Sequence, residues 1–330
     1  MRLRSDLMSL DFIKSQKLLK IPSGYQRLLL DILLGNQSLF LCKEEIELAW
    51  EWCDNALKSG KSLCNLFILI LQAATAPMKV KPFYNKMDIT GMMNNKFYYL
   101  PRSVNWHGSN TRESLAKNLS QSIGQLLSQS INQDGRASLA VSGGRTPVLV
   151  FEALSELNLD WSKVDLVLVD ERWVDASHED SNELLVRQHL IKNKASKVNF
   201  MPIKNNAKTV KDGLILCQQS FQKIKQPFDV VVLGMGADGH TASLFPCAEE
   251  LNDAMSPNNS ESYVVTSPKT APYARISLTY KAISSAKNII LHLNGSHKLK
   301  VLELAMTHKN AEKMPIYAFL EDPLSIYWSP

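Results

Sequence analysis

Three segments of this sequence gather side chains that can do chemistry, and each directly follows a short apolar run. In Ser142-Gly143-Gly144-Arg145-Thr146-Pro147 two glycines let the backbone approach an anion closely. The helix expected to open there aims free N–H groups at that anion. The hydroxyls of Ser142 and Thr146 add donors. The spacing is neither the Gly-Lys-Ser/Thr of a nucleotide-triphosphate loop nor the dinucleotide pattern G-x-G-x-x-G. An ordinary strand-to-helix turn is the plain alternative, but Gly-Gly-Arg-Thr-Pro at such a junction favours a phosphate cradle.

The second segment is Asp170-Glu171-Arg172-Trp173-Val174. Buried charge without partners is costly, so these three charges are expected to pair with one another or with a substrate. A purely structural ion cluster is the competing reading. The third is Gly234-Met235-Gly236-Ala237-Asp238-Gly239-His240-Thr241-Ala242-Ser243-Leu244-Phe245-Pro246. Its glycines make a tight loop, and Asp238, two residues before His240, is placed to orient the imidazole. A histidine near its ordinary pKa is the usual general base at neutral pH. His107, His178, His189, His292, His297 and His308 lack such a setting and read as structural. Arg275 and Lys298 are long cations suited to a place beside a phosphate.

These segments need a scaffold that brings them together. From Lys96 onward apolar strand-like runs alternate with helical patterns. Strands are expected at Ala137–Val141, Val164–Val169, Val230–Leu233, Tyr263–Thr266, Asn288–Leu293 and Ile316–Phe319, with helices at Ser114–Gln129, Thr146–Leu157, Ser181–Ile191 and Lys298–Met306. Short continuous apolar strands alternating with helices predict an α/β fold, a mostly parallel sheet covered by helices on both faces. Ligands in such folds sit at the C-terminal ends of the strands.

Composition narrows the class. The chain has 330 residues, 45% hydrophobic and 21% charged, ordinary for a globular protein. The net charge of +5 comes from scattered basic residues, which suits an anionic small molecule and gives no support for nucleic acid. Five cysteines at wide spacings form neither a disulfide framework nor a CxxC zinc pair, so a reducing, cytoplasmic setting is expected. The apolar run Leu66–Leu71 is far too short to span a bilayer, so no membrane partner is expected. Neither a metal nor a cofactor is expected, and the oligomeric state is not readable.

From about Met93 to Pro330 the sequence resembles the 6-phosphogluconolactonases. The resemblance rests on Ser-Gly-Gly-x-Thr-Pro, on Asp-Glu-Arg-x-Val followed by Ser181-Asn182, and on Gly-x-Gly-x-Asp-Gly-His-Thr-Ala-Ser-Leu-Phe-Pro, in that order. It implies a Rossmann-like fold related to the sugar-phosphate isomerases and deaminases. It implies hydrolysis of 6-phospho-D-glucono-1,5-lactone, a phosphosugar lactone, in the oxidative pentose phosphate pathway. His240 and Asp238 would be catalytic. Ser142, Gly143, Gly144, Arg145, Thr146, Asp170, Arg172, Arg275 and Lys298 would bind substrate. Glucosamine-6-phosphate deaminases, by comparison, carry an acid after the histidine, and Thr241–Pro246 has none. A related isomerase or deaminase, or a non-catalytic sugar-phosphate sensor, remain the other readings.

The first segment resembles a different family. Tyr25-Gln26-Arg27-Leu28-Leu29-Leu30-Asp31, Gly35-Asn36-Gln37-Ser38-Leu39-Phe40 and Glu44–Trp52 look like the C-terminal region of glucose-6-phosphate dehydrogenase. The dehydrogenase's nucleotide-binding glycines are absent, so its activity is not implied. Residues 59–92 follow no clear period. Read one frame away, with Met87, Met92 and Met93 each having a single codon, residues 86–95 permit a dehydrogenase-like tail and a stop. The expected organisation is therefore a dehydrogenase remnant at 1–58, a frameshifted junction at 59–92 and a lactonase domain at 93–330. A natural fusion through a linker is the alternative.

Overall fold

The computed structural model describes residues 104–330. The expectations for residues 1–58 and 59–92 lie outside the described residues.

Seven strands form one parallel sheet: β1 (Val104–Gly108), β2 (Ala137–Val141), β3 (Val164–Leu168), β5 (Asn199–Met201), β6 (Val230–Leu233), β9 (Ile289–Asn294) and β10 (Leu324–Ser329). Their order is β1-β10-β9-β6-β2-β3-β5. Every residue of β2, β3 and β6 is buried, so both faces of the sheet centre are covered. The covering helices include α1 (Arg112–Asp134), α2 (Val148–Ser155), α3 (Asn182–His189) and α4 (Val210–Phe221). α1 starts where Thr111 accepts from the Ser114 N–H and stops at Gly135 in the left-handed conformation.

The strand order places the ligand crevice. From β2 the chain builds outward through β3 to β5, then returns to β6 and builds the other way. The reversal falls between β2 and β6, and in open α/β sheets the crevice opens there, beyond the C-terminal strand ends. The first and third motifs sit at that reversal, on β2 and β6.

A second sheet supplies the cleft wall. It is antiparallel, ordered β4 (Asp170–Arg172), β8 (Arg275–Leu278), β7 (Tyr263–Thr266). Only Val169 separates β3 from β4. Its N–H bonds Val141 of the large sheet and its carbonyl accepts from Leu278 of the small one. The chain thus changes sheets in one residue and carries Asp170 and Arg172 to the cleft.

Tyr263–Thr266 is a strand as expected, and it belongs to the small antiparallel sheet. One expected strand requires correction. Ile316–Phe319 is not a strand; it lies in a helix, α8 (Ile316–Leu320), after α5 (Leu251–Ala254), α6 (Tyr280–Ser284) and α7 (Ser296–His308). Its buried residues Ile316, Phe319 and Leu320 follow the helical i, i+3, i+4 spacing, and Pro315 precedes it. The true last strand, β10, lies just beyond. The helix expected at Thr146 begins at Val148, which leaves the first motif as an open loop. Among the described residues no helix is long and apolar enough to cross a membrane.

Candidate functional site

An open cleft of about 210 Å³ lies over the β2–β6 reversal. Of the eleven residues singled out from the sequence, nine line it: Ser142, Gly143, Gly144, Thr146, Asp170, Arg172, His240, Arg275 and Lys298. Asp238 stands behind His240 and does not line it. Arg145 is exposed beside the cleft and makes no ion pair among the described residues.

The β2 loop is held open by its neighbours. Ser142 donates its hydroxyl to the Val232 carbonyl at 3.0 Å and accepts from the Gly234 N–H at 3.2 Å. This hydroxyl therefore ties the β2 and β6 loops together and has no proton left for a ligand. The N–H groups of Gly143, Gly144, Arg145 and Thr146, by contrast, donate to nothing among the described residues. Four consecutive unpaired amides at a strand end form an anion-binding concavity. Gly143 must be glycine, because a Cβ there would lie 1.8 Å from Asn182 Oδ1. Asn182 also donates to the Asp170 carbonyl at 2.8 Å and accepts from Arg172 Nη1.

The β6 loop presents the acid and base. His240 Nδ1 lies 2.5 Å from Asp238 Oδ1, which also accepts the His240 backbone N–H at 3.2 Å. Burial works against ionising Asp238, but the hydrogen bonds from His240 outweigh it and hold the carboxyl below its ordinary pKa. An anionic Asp238 takes the Nδ1 proton as a bond, so the neutral ring keeps an unprotonated Nε2. The ring stacks on Phe245 at 3.9 Å. A Cβ on Gly236 would lie 2.2 Å from the imidazole, so glycine there is what admits the ring. From below, the Ile316 N–H bonds the Gly239 carbonyl at 2.9 Å, bracing the loop on α8.

Cations line the other walls. Arg172 and Arg275 are register partners across β4 and β8. Like charges directly opposite destabilise a sheet unless an anion joins them. Arg275 is 7% exposed, its Nε has no partner among the described residues, and its guanidinium sits 4.9 Å over Phe245. Burial lowers its pKa, with Asp170 opposing. Lys298 Nζ bonds the Met235 carbonyl at 2.5 Å; burial lowers its pKa too, with Asp238 opposing. Asp170 accepts from the Ser243 hydroxyl at 2.5 Å and so anchors the His240 loop. Glu171, expected to pair within its own segment or with a substrate, accepts the Arg172 N–H at 2.8 Å and caps α3. It accepts from the N–H groups of Asn182 at 2.9 Å and Glu183 at 2.7 Å. Burial raises its pKa, partly offset by those bonds.

Among the cleft residues given no site role from the sequence are Asn182, His292 and Asn294. Asn182 stood in the second motif, His292 was read as structural, and Asn294 gave no signal, since Asn before Gly reads as a turn. Among the described residues no three His, Cys, Asp or Glu side chains cluster as metal ligands do.

Comparison with known proteins agrees with this layout. Residues 110–328 match the family model of glucosamine-6-phosphate isomerases/6-phosphogluconolactonase. Residues 1–78 match the C-terminal domain of glucose-6-phosphate dehydrogenase, twenty residues beyond the expected limit of 58. A 6-phosphogluconolactonase of Pseudomonas aeruginosa is 38% identical over 231 residues, 70% of this chain and 97% of that protein. The crystal structure of a 6-phosphogluconolactonase from Shewanella baltica is 41% identical with a TM-score of 0.67, covering 69% of this chain and 98% of that one. A monomeric glucosamine-6-phosphate deaminase shares the fold at 15% identity and a TM-score of 0.56, covering 68% of this chain and 97% of that one.

Proposed function

Since the chain belongs to the family of glucosamine-6-phosphate isomerases and 6-phosphogluconolactonases, we propose that it hydrolyses 6-phospho-D-glucono-1,5-lactone to 6-phosphogluconate. The observation that carries this reading is the pairing of four open amides, Gly143 to Thr146, with a His240–Asp238 dyad across one cleft. An anionic handle and a base on opposite strands of the reversal suit a substrate with a phosphate at one end and an ester at the other.

In this mechanism the phosphate rests on the β2 loop amides, with the Thr146 hydroxyl and Lys298 beside it. Arg145 can swing onto it from outside. Fixing the remote phosphate uses binding energy to position the lactone carbonyl. His240 Nε2 takes a proton from water as the water oxygen attacks C1. Asp238 steadies the imidazolium that forms, and the Phe245 face favours its charge. The tetrahedral oxyanion at C1 lies against Arg172, with Arg275 behind. Collapse breaks the bond from C1 to the ring oxygen, and His240 returns its proton to that oxygen. The new carboxyl group then releases a proton to solvent. No metal or cofactor enters any step.

Residues 1–92 are not needed in this reading. A relative of 231 matched residues is nearly complete within 70% of this chain. We read the first segment as a dehydrogenase remnant joined by a frameshift; sequencing the locus tests this, and an unbroken, expressed frame through 59–92 would sink it. The functional test is a coupled assay on freshly generated lactone, for the full chain, a chain beginning at Met93, and His240→Ala. Activity in the first two and not in the third is expected. Binding of sugar phosphates without lactone hydrolysis would move the assignment to the isomerase or sensor readings.

A further inference from the structure

Asn294 ends β9, inside the cleft wall and one helical turn before Lys298. Its side-chain oxygen is fully engaged. Oδ1 accepts from the Ser329 hydroxyl at 3.1 Å. The His292 ring also hydrogen-bonds this side chain. His292 is itself 4% exposed. The two supports leave the amide nitrogen unspent, and Asn294 Nδ2 donates to nothing among the described residues. An amide clamped by its oxygen, with its NH₂ left over at a cleft wall, is a preorganised donor.

The neighbouring groups narrow what it donates to. The charged end of the substrate already has the β2 loop amides, Lys298 and the arginine pair. A neutral amide donor matches a neutral acceptor better than it matches a phosphate. We propose that Asn294 reads a hydroxyl of the sugar-acid carbon chain through Nδ2, and that Ser329 and His292 are positioning residues that fix its orientation. This rests on the phosphosugar-lactone reading for the identity of the ligand, and on the β9 geometry alone for the contact. Burial supports the role of His292 by holding its ring neutral, with its pKa down at about 4. A neutral ring beside Asn294 puts no charge at this wall of the cleft.

The test pairs variants with altered ligands, on the full chain. Lactone hydrolysis and calorimetric binding of 6-phosphogluconate are measured for wild type, Asn294→Ala and Asn294→Ser, alongside mono-deoxy forms of 6-phosphogluconate. One deoxy form is expected to bind wild type about tenfold more weakly than the parent, yet to bind Asn294→Ala no more weakly than the parent does. KM for the lactone rises about tenfold in that variant, while kcat changes little. Ser329→Ala raises KM about threefold with kcat unchanged, and Ser329→Thr restores it. If every deoxy form loses affinity equally in wild type and in both Asn294 variants, the proposal is overturned. The same holds if KM is unmoved in both. A wild type that fails to hydrolyse the lactone but shows the selective deoxy loss keeps Asn294 as a reader and removes the reaction.

Discussion

The two ends of the parallel sheet treat charge in opposite ways. At the N-terminal strand ends every buried carboxylate is saturated. Asp229 accepts from Lys225 Nζ at 2.8 and 2.9 Å, from Lys287 Nζ at 2.9 Å and from the Ser138 N–H at 2.8 Å. Asp165 accepts from Arg136, from Asn199 Nδ2 at 2.8 Å and from the Lys225 N–H at 3.0 Å. At the C-terminal ends Arg172 faces Arg275, and the hydrogen bonds of Arg275 to Ser243 and Pro272 are both 3.4 Å long. Four backbone amides beside them have no acceptor among the described residues. One end has spent its electrostatics on the fold; the other keeps them for a ligand. The same residue types therefore mark stability or function according to whether their partners are already present.

Substitutions can break this contrast. The largest expected effect is at the ligand end. His240→Ala should lower kcat by about 10²–10⁴ with no change in the urea midpoint, because the ring supports chemistry and not the core. An equal loss of stability would erase the distinction. At the saturated end Asp229→Ala should do the reverse. It leaves Lys225 only Asp134 and Ser130 and takes the acceptor from the buried Ser138 N–H, costing about 1–3 kcal/mol in urea unfolding while the folded fraction keeps its kcat. Gly236→Ala tests the boundary. The added Cβ must push the imidazole away from its seat, so kcat should fall about 100-fold while the midpoint barely moves.

Smaller effects sharpen it. Burial takes His292 from 6.5 to about 4. The unfolded chain therefore binds this proton between those pH values while the folded chain does not. Stability from this group is complete above 6.5 and is lost as pH falls toward 4. Between pH 7.5 and 5 the wild type should lose about 1–2 kcal/mol more than His292→Leu, measured by paired urea titrations. The smallest effect is Lys287→Ala. Its side chain is 44% exposed, so its bonds to Asp229 and Asp134 should be worth no more than about 1 kcal/mol.

The sequence reveals the ligand end far better than the saturated end, for a physical reason. Loops after β2, β3 and β6 are local strings, so Gly143, Asp170 and His240 announce themselves within a few residues of a buried run. The partners at the other end come from Asp134, Arg136, Asp165, Lys225, Asp229 and Lys287, far apart in sequence and joined only by the sheet. Asn294 was hidden for the same reason: its clamp comes from Ser329, 35 positions away. The misread element, Ile316–Phe319, has β-branched and aromatic residues that suit either period. The packing of Ile316, Phe319 and Leu320 decides for the helix.

The sheet also sets an order of assembly during synthesis. Among the described residues β1 is an edge strand whose one partner is β10, and Val104 pairs with Leu324, 220 positions later. As the chain leaves the ribosome, β1 waits with both edges bare until nearly the whole domain has been made. α8, which braces Gly239 under the histidine loop, emerges just before β10. Support for the histidine loop and closure of the sheet thus arrive together, once residues 316–329 have emerged. A nascent chain stalled before residue 316 would carry His240 and Asp238 and still lack the floor beneath their loop.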